Sequence, residues 1–167
     1  RKGDADDAVP DLPEGCTVAV LDDDAAVQDG LTALLEGWGC HVVSAGALAE
    51  LQAQLDEQAL ERLDCLITDH RLGDGSDGFD AARAVSDRVP PGAVVVITGD
   101  VDAQIEREAR SRGHRLLYKP LRPATLRQAV AQAAARAMAS RPVCSPGAAV
   151  EPGGIAPFGE VPGPVDR

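Results

Sequence analysis

Apolar positions along this chain follow two alternating rhythms. Short continuous runs occupy Cys16–Leu21, Cys40–Ser44, Cys65–Thr68, Ala93–Thr98 and Leu116–Tyr118. Runs of this length, rich in Val, Leu and Ile, predict buried strands. Between them the apolar residues are spaced by three and four. Ala25–Glu36 carries Val27, Leu31, Leu34 and Leu35 on one stripe, and Ala47–Gln58 carries Leu48, Leu51 and Leu55. Helices are predicted there and over Phe79–Ser86, Asp102–Arg112 and Pro123–Ala139. Gly37 and Gly39 follow the first, Gly113 closes the fourth, and Pro123 suits the first turn of the last. Strands alternating with helices imply βαβ units and a parallel sheet. With right-handed crossovers, the expectation is an α/β fold. It is a doubly wound five-stranded parallel sheet of order 2-1-3-4-5, flavodoxin-like. The same pattern marks domain bounds. Residues 1–15 are acidic and broken by Pro10, Pro13 and Gly15, and read as a flexible linker. Residues 140–167 are rich in Pro and Gly and read as a flexible tail, leaving 16–139 as the folded domain.

Composition narrows the choices. Apolar residues make up 44% of the 167, but aromatic ones only 2%, so aliphatic side chains and alanine must fill the core. The formal net charge is −11 and no basic run occurs. Nucleic acid is therefore not an expected partner, since such binding rests on Lys and Arg neutralising phosphates. No stretch has the apolar length of a membrane span and nothing reads as a signal peptide, so no membrane contact is expected. The only methionine is Met138, which suggests a segment of a longer protein. The four cysteines, Cys16, Cys40, Cys65 and Cys144, fit no zinc spacing and include no Cys-x-x-Cys. A reducing cytoplasm is the expected setting. Cys16, Cys40 and Cys65 each open one of three neighbouring strands and should cluster at the amino edge of the sheet. Their simplest role is as small apolar fillers; a redox role would need thiolate character and exposure.

The chemistry lies where the strands stop. The first ends on Asp22-Asp23-Asp24, the third on Asp69, the fourth on Thr98 and the fifth on Lys119. In an open parallel sheet these stops share the carboxyl edge, where ligands bind. In the order 2-1-3-4-5 the first and third strands are neighbours, about 4.8 Å apart. The carboxylates of Asp22, Asp23 and Asp69 therefore converge and repel. A hard divalent cation such as Mg²⁺ relieves that repulsion with carboxylate, carbonyl and water oxygens. It would also neutralise an incoming phosphoryl group, leaving a carboxylate to attack it. A hydroxyl and an ammonium, Thr98 and Lys119, can hold the remaining phosphoryl oxygens.

Four pieces, Val20-Leu21-Asp22-Asp23-Asp24, Leu66-Ile67-Thr68-Asp69, Val96-Ile97-Thr98-Gly99 and Tyr118-Lys119-Pro120, occur in this order. Together they resemble the receiver domain of two-component response regulators, over about Thr17 to Ala139. The resemblance implies a phosphoacceptor module of a phosphorelay. Asp69 would take a phosphoryl group from a histidine kinase or a histidine phosphotransfer domain. Mg²⁺ would be held by Asp23, Asp69 and the backbone carbonyl of Arg71, with Asp22 acting through water. Thr98 and Lys119 would hold the phosphoryl oxygens, and a cis bond is expected at Lys119-Pro120. Two departures stand out. The loop after Asp69 reads His70-Arg71-Leu72-Gly73 in place of the Met-Pro usual in receivers, and Leu116 stands where an aromatic switch residue is common. Asp69-His70-Arg71-Leu72 and Leu116-Leu117-Tyr118-Lys119-Pro120 look most like the C-terminal receiver of a hybrid sensor histidine kinase. Arg71 and Asp100, two residues beyond Asp69 and Thr98, should overhang one opening, where they either pair across it or stay solvated and independent.

Blander readings exist for each residue alone. The acid triplet could cap the helix from Ala25, and Lys119 could be a solvated lysine; their joint placement favours a site. Two other functions compete. One is a receiver-like interaction domain that is not phosphorylated. The other is a haloacid-dehalogenase-type phosphatase, which needs a further acidic pair after the lysine. None of the carboxylates after Lys119 ends a strand.

Overall fold

The protein's structure, a computed structural model, describes residues 12–13, 15–73 and 75–139. Its strands are Thr17–Leu21 (β1), His41–Ala45 (β2), Cys65–Asp69 (β3), Val94–Thr98 (β4) and Arg115–Tyr118 (β5). Its helices are Ala25–Gly37 (α1), Leu48–Glu57 (α2), Gly78–Ala84 (α3), Ala103–Arg112 (α4) and Pro123–Ala139 (α5). The strands form one parallel sheet in the order β2-β1-β3-β4-β5, the predicted flavodoxin-like α/β arrangement. Every residue of β4 is buried, as are the first four of β3 and the last four of β1. Strands covered on both faces must be apolar throughout, which is why these runs do not alternate. α1 lies on β1 and β2, α3 on β3 and β4, α4 on β5, and α5 on the central β3 and β4.

Three of the five helices, α1, α3 and α4, start on acid side chains. Asp24 caps α1 by accepting the Ala26 N–H at 2.9 Å. Asp77 and Asp80 form a reciprocal capping box on α3, and Asp102 caps α4 through the Gln104 N–H at 2.8 Å. α4 stops at Gly113, whose φ of +80° favours glycine. The scarcity of aromatic residues is met by alanine. α5 buries Ala129, Ala131, Ala133, Ala134 and Ala137 around Leu126 and Val130, so its backbone can approach the sheet closely. Among the described residues Phe79 is the only aromatic fully buried.

Element bounds shift by a residue or two from the sequence expectation. Asp69 belongs to β3 because it still pairs with Ile97. Ala93 leaves β4 because Pro91 starts a short 3-10 turn, Pro91–Ala93. The linker expected over 1–15 and the tail expected over 140–167 lie outside the described residues, apart from Leu12, Pro13 and Gly15. Among the described residues, no helix is long and apolar enough to cross a membrane.

The amino edge gathers Cys16, Cys40 and Cys65 as expected. The β1–β2 register sets Thr17 opposite His41, and so Cys16 beside Cys40, while Cys65 pairs with Val18 on the other side. All three thiols are buried. Desolvation pushes the Cys40 thiol up, with the Cys16 thiol acting against it, and pushes Cys65 well above its ordinary value. Buried thiols are poorly placed to react, which agrees with the role of small apolar fillers. In a Cys144→Ser background, a thiol-reactive dye should label the native protein orders of magnitude more slowly than the unfolded chain. Comparable rates in buffer and in denaturant would contradict this.

Candidate functional site

The parallel register brings the strand ends level. Leu21 pairs with Thr68, Asp69 with Ile97 and Thr98 with Tyr118. The next residues of β1 and β5, Asp22 and Lys119, therefore meet Asp69 and Thr98 at one edge. Carboxylate oxygens of Asp22, Asp23 and Asp69 lie within 4.8 Å of one another. The Lys119 Nζ stands 3.5 Å from Asp69 Oδ2 and 3.8 Å from Asp22 Oδ2. Thr98 is buried, and its Oγ1 accepts the Asp100 N–H at 3.0 Å. The peptide bond between Lys119 and Pro120 is cis.

Asp22 is only 1% exposed, and nearly all its polar atoms are engaged. Its N–H donates to the Ala45 carbonyl at 3.1 Å, and its Oδ1 accepts the Asp24 N–H at 2.8 Å. Its own carbonyl accepts the Gln28 side-chain amide at 2.8 Å. Only Oδ2 is buried with no hydrogen bond. Burial above all, with Asp69 and Asp23 nearby, pushes the Asp22 carboxyl up, against the pull of the Asp24 N–H and Lys119. At this separation two carboxylates repel by roughly 3 kcal/mol at the effective dielectric near a protein surface. One ammonium shared by two acids does not cancel a cluster of three. An all-oxygen donor set with one buried, unsatisfied oxygen matches a hard divalent cation such as Mg²⁺.

Two glycines let backbone and side chains crowd this edge. A Cβ on Gly73 would stand 2.8 Å from Asp23 Oδ2, and one on Gly78 would stand 2.6 Å from the Asp69 carbonyl oxygen. Between them the loop folds back, with Arg71 bridged to Asp77. Gly99 has open space where its Cβ would be. Arg71 Nη2 reaches Asp100 Oδ2 at 2.7 Å, so the two pair across the opening. Both partners remain largely in solvent, 77% and 46% exposed.

A family model, response regulator receiver domain, matches residues 18–131. The chain belongs to this family. The receiver is 34% identical over 123 residues to the transcriptional regulatory protein FixJ of Azorhizobium caulinodans, covering 71% of this chain and 55% of that one. It is 30% identical over 96 residues to FixJ of Bradyrhizobium diazoefficiens, covering 58% and 45%. The chain thus spans about half the length of the curated relatives it matches. Among solved structures it is similar to a response regulator receiver domain protein from Clostridium thermocellum. The TM-score is 0.66 at 26% identity, over 75% of this chain and 99% of that one. A receiver protein from Sinorhizobium medicae gives 0.60 at 27% identity, over 73% and 96%.

The receiver also holds features that sequence reasoning missed. His70 sits edge-on to Phe79 with ring centroids 5.4 Å apart, and Phe79 stacks on His114 at 6.1 Å. The Arg112 guanidinium lies 5.4 Å from the Phe79 ring centre. Burial above all holds His114 below its usual range, although the Pro91 carbonyl, 3.0 Å from Nδ1, acts the other way. Leu116, at the position where receivers often carry an aromatic residue, is half-buried against the core. Nothing in the spacing of Phe79, His70 and His114 announces their contact. Gln28, Gly73 and Gly78 were likewise not singled out, because their roles depend on how loops fold over the strand ends. Gly78→Ala should cost about 1–3 kcal/mol, because the obstacle is backbone. Urea unfolding would measure it, and an unchanged midpoint would mean that the α3 start shifts freely.

Proposed function

We propose that this receiver is the phosphoacceptor of a two-component phosphorelay, with Asp69 taking a phosphoryl group from a phosphohistidine in the presence of Mg²⁺. The observation that carries the reading is the convergence of Asp22, Asp23 and Asp69 with Lys119 at one sheet edge. In this reading Asp69, Asp23 and the Arg71 carbonyl hold the cation, with Asp22 acting through water. The cation supplies charge neutralisation for an anionic donor approaching a carboxylate. Asp69 is the nucleophile. It stands at the end of a buried strand whose ladder holds it still, and its side chain keeps 14% exposure toward the opening. Lys119, already 3.5 Å from Asp69, holds one phosphoryl oxygen once the group has transferred. The Thr98 hydroxyl, at the end of the neighbouring strand, donates to another. In this proposal the receiver unit spans 16–139 and works in the cytoplasm, and a histidine kinase or histidine phosphotransfer domain is the donor.

Asp69→Ala should abolish labelling by a small phosphoryl donor, and removing Mg²⁺ from the unaltered chain should do the same. Undiminished labelling of the variant would sink the assignment. No labelling of the unaltered chain by either a small donor or a cognate kinase would favour an interaction domain that is not phosphorylated. Continuous release of inorganic phosphate from phosphomonoesters would favour a phosphatase.

The setting has two readings. The loop after Asp69 and the run Leu116-Leu117-Tyr118-Lys119-Pro120 favour the C-terminal receiver of a hybrid sensor histidine kinase. The second is favoured by the two curated relatives, which are transcriptional regulatory proteins about twice the matched length. ATP-dependent phosphohistidine on the parent chain would support the first reading. Its absence, together with DNA binding by that chain, would support the second.

The Arg71–Asp100 pair overhangs the opening through which a hydrolytic water must pass. Exposed pairs contribute about 0–1 kcal/mol, so removing either partner should change the decay of phosphorylated Asp69 by about fivefold at most. The two effects should not add in a double-mutant cycle. Strictly additive barriers would show that the residues act separately.

A further inference from the structure

We propose that Gln28, with Gly46 beside it, is a positioning residue for the acid cluster, holding the Asp22–Asp23 peptide unit in the orientation that aims both carboxylates. The inference rests on the reading of Asp22, Asp23 and Asp69 as ligands of a divalent cation.

β1 ends at Leu21, so the ladder of the sheet no longer holds the chain beyond it. The Asp22 N–H still reaches the Ala45 carbonyl. Its carbonyl has left the ladder and points to α1, where the Gln28 Nε2 donates to it at 2.8 Å. Only the amide nitrogen of Gln28 can serve a carbonyl, so the orientation of that side chain follows from chemistry. The Asp22 carbonyl and the Asp23 N–H belong to one planar peptide unit. Fixing the oxygen therefore fixes the plane from which the Asp23 side chain departs. Oδ1 of Asp22 is separately held by the Asp24 N–H. Gln28 is thus the side chain that sets the link between the two acids without being near enough in role to touch a cation or a phosphoryl group.

The space for Gln28 comes from β2's end. A Cβ on Gly46 would stand 3.3 Å from Gln28 Nε2 and 3.9 Å from the Asp22 carbonyl oxygen. Gly46 is itself fixed by its N–H donating to Glu50 Oε1 at 3.0 Å. Its φ lies outside the left-handed region, so alanine fits the backbone there, and its one tight contact would be with Gln28. Partners one step behind metal ligands commonly govern affinity by orienting them.

The test titrates the whole chain with Mg²⁺ alone, following the backbone amide resonances of Asp23 and Asp24. Gln28→Met, of similar length but without a donor, should weaken Mg²⁺ about tenfold. Gln28→His, read above about pH 7.5 so that the ring offers a neutral N–H donor at a similar reach, should recover most of the loss, while a merely structural role would favour the apolar variant. Gly46→Ala should weaken Mg²⁺ by less than Gln28→Met does, and adding it to Gln28→Met should cost nothing more. Asp23→Asn is the control on the underlying reading. If it binds Mg²⁺ like the unaltered chain, the acids are not the ligands and that reading fails. If Asp23→Asn loses Mg²⁺ while Gln28→Met keeps the unaltered affinity, the positioning role alone is overturned. Should Gln28→Met unfold, Gly46→Ala decides, and unchanged affinity there overturns the proposal.

Discussion

The mutual repulsion of three carboxylates at one sheet edge is the constraint around which the rest of this receiver is arranged. Such a cluster is unfavourable by itself, and two of its acids, Asp22 and Asp69, are held by groups outside it. Asp22 is locked by Ala45, Asp24 and Gln28. Asp69 is carried by a buried strand, and Lys119 stands between the two. A rigid, continuously apolar sheet is what allows this. β4 and most of β1 and β3 are covered on both faces, so the strand ends cannot drift apart to relieve the charge. Stability in the core is thus converted into stored electrostatic demand at the edge, which a small cation or a phosphoryl group with its counter-ion can satisfy.

Much of this was legible in the sequence for a simple reason. Parallel strands of equal length, in a known order, put their last residues side by side, so Asp22, Asp69, Thr98 and Lys119 could be placed together from the apolar runs alone. Arg71 and Asp100 followed by the same reasoning, since each lies two residues past a strand end, and they do meet. The parts that were not legible depend on loops and on contacts between distant elements. Gly78 looked like one glycine among several in a polar loop, yet it lies against the Asp69 backbone. Gln28 was not singled out, because its role depends on where the Asp22 carbonyl points once β1 has ended. Phe79 was read as the start of a helix, not as the centre of a ring stack joining His70 to His114. Helix and strand bounds moved where a proline started a 3-10 turn or a ladder ran one residue further, events that periodicity does not register.

The core solves a packing problem with few large side chains. With Phe79 the sole fully buried aromatic among the described residues, contact is gained by bringing backbones close. Alanines on α5 do this against β3 and β4. Close packing of small residues leaves little room for substitution, because an added methylene has nowhere to go.

The route of the chain through the sheet has one further consequence. β1 begins at the edge opposite the acids, and α5 runs back to that same edge, where Arg136 packs beside Gly92 just ahead of β4. Both connections to flanking sequence therefore leave from the side away from the chemistry. Residues 16 and 139 both lie at the amino edge, away from Asp22, Asp69 and Lys119. The acid cluster and the two ends of the described domain are thus separated by the length of the sheet.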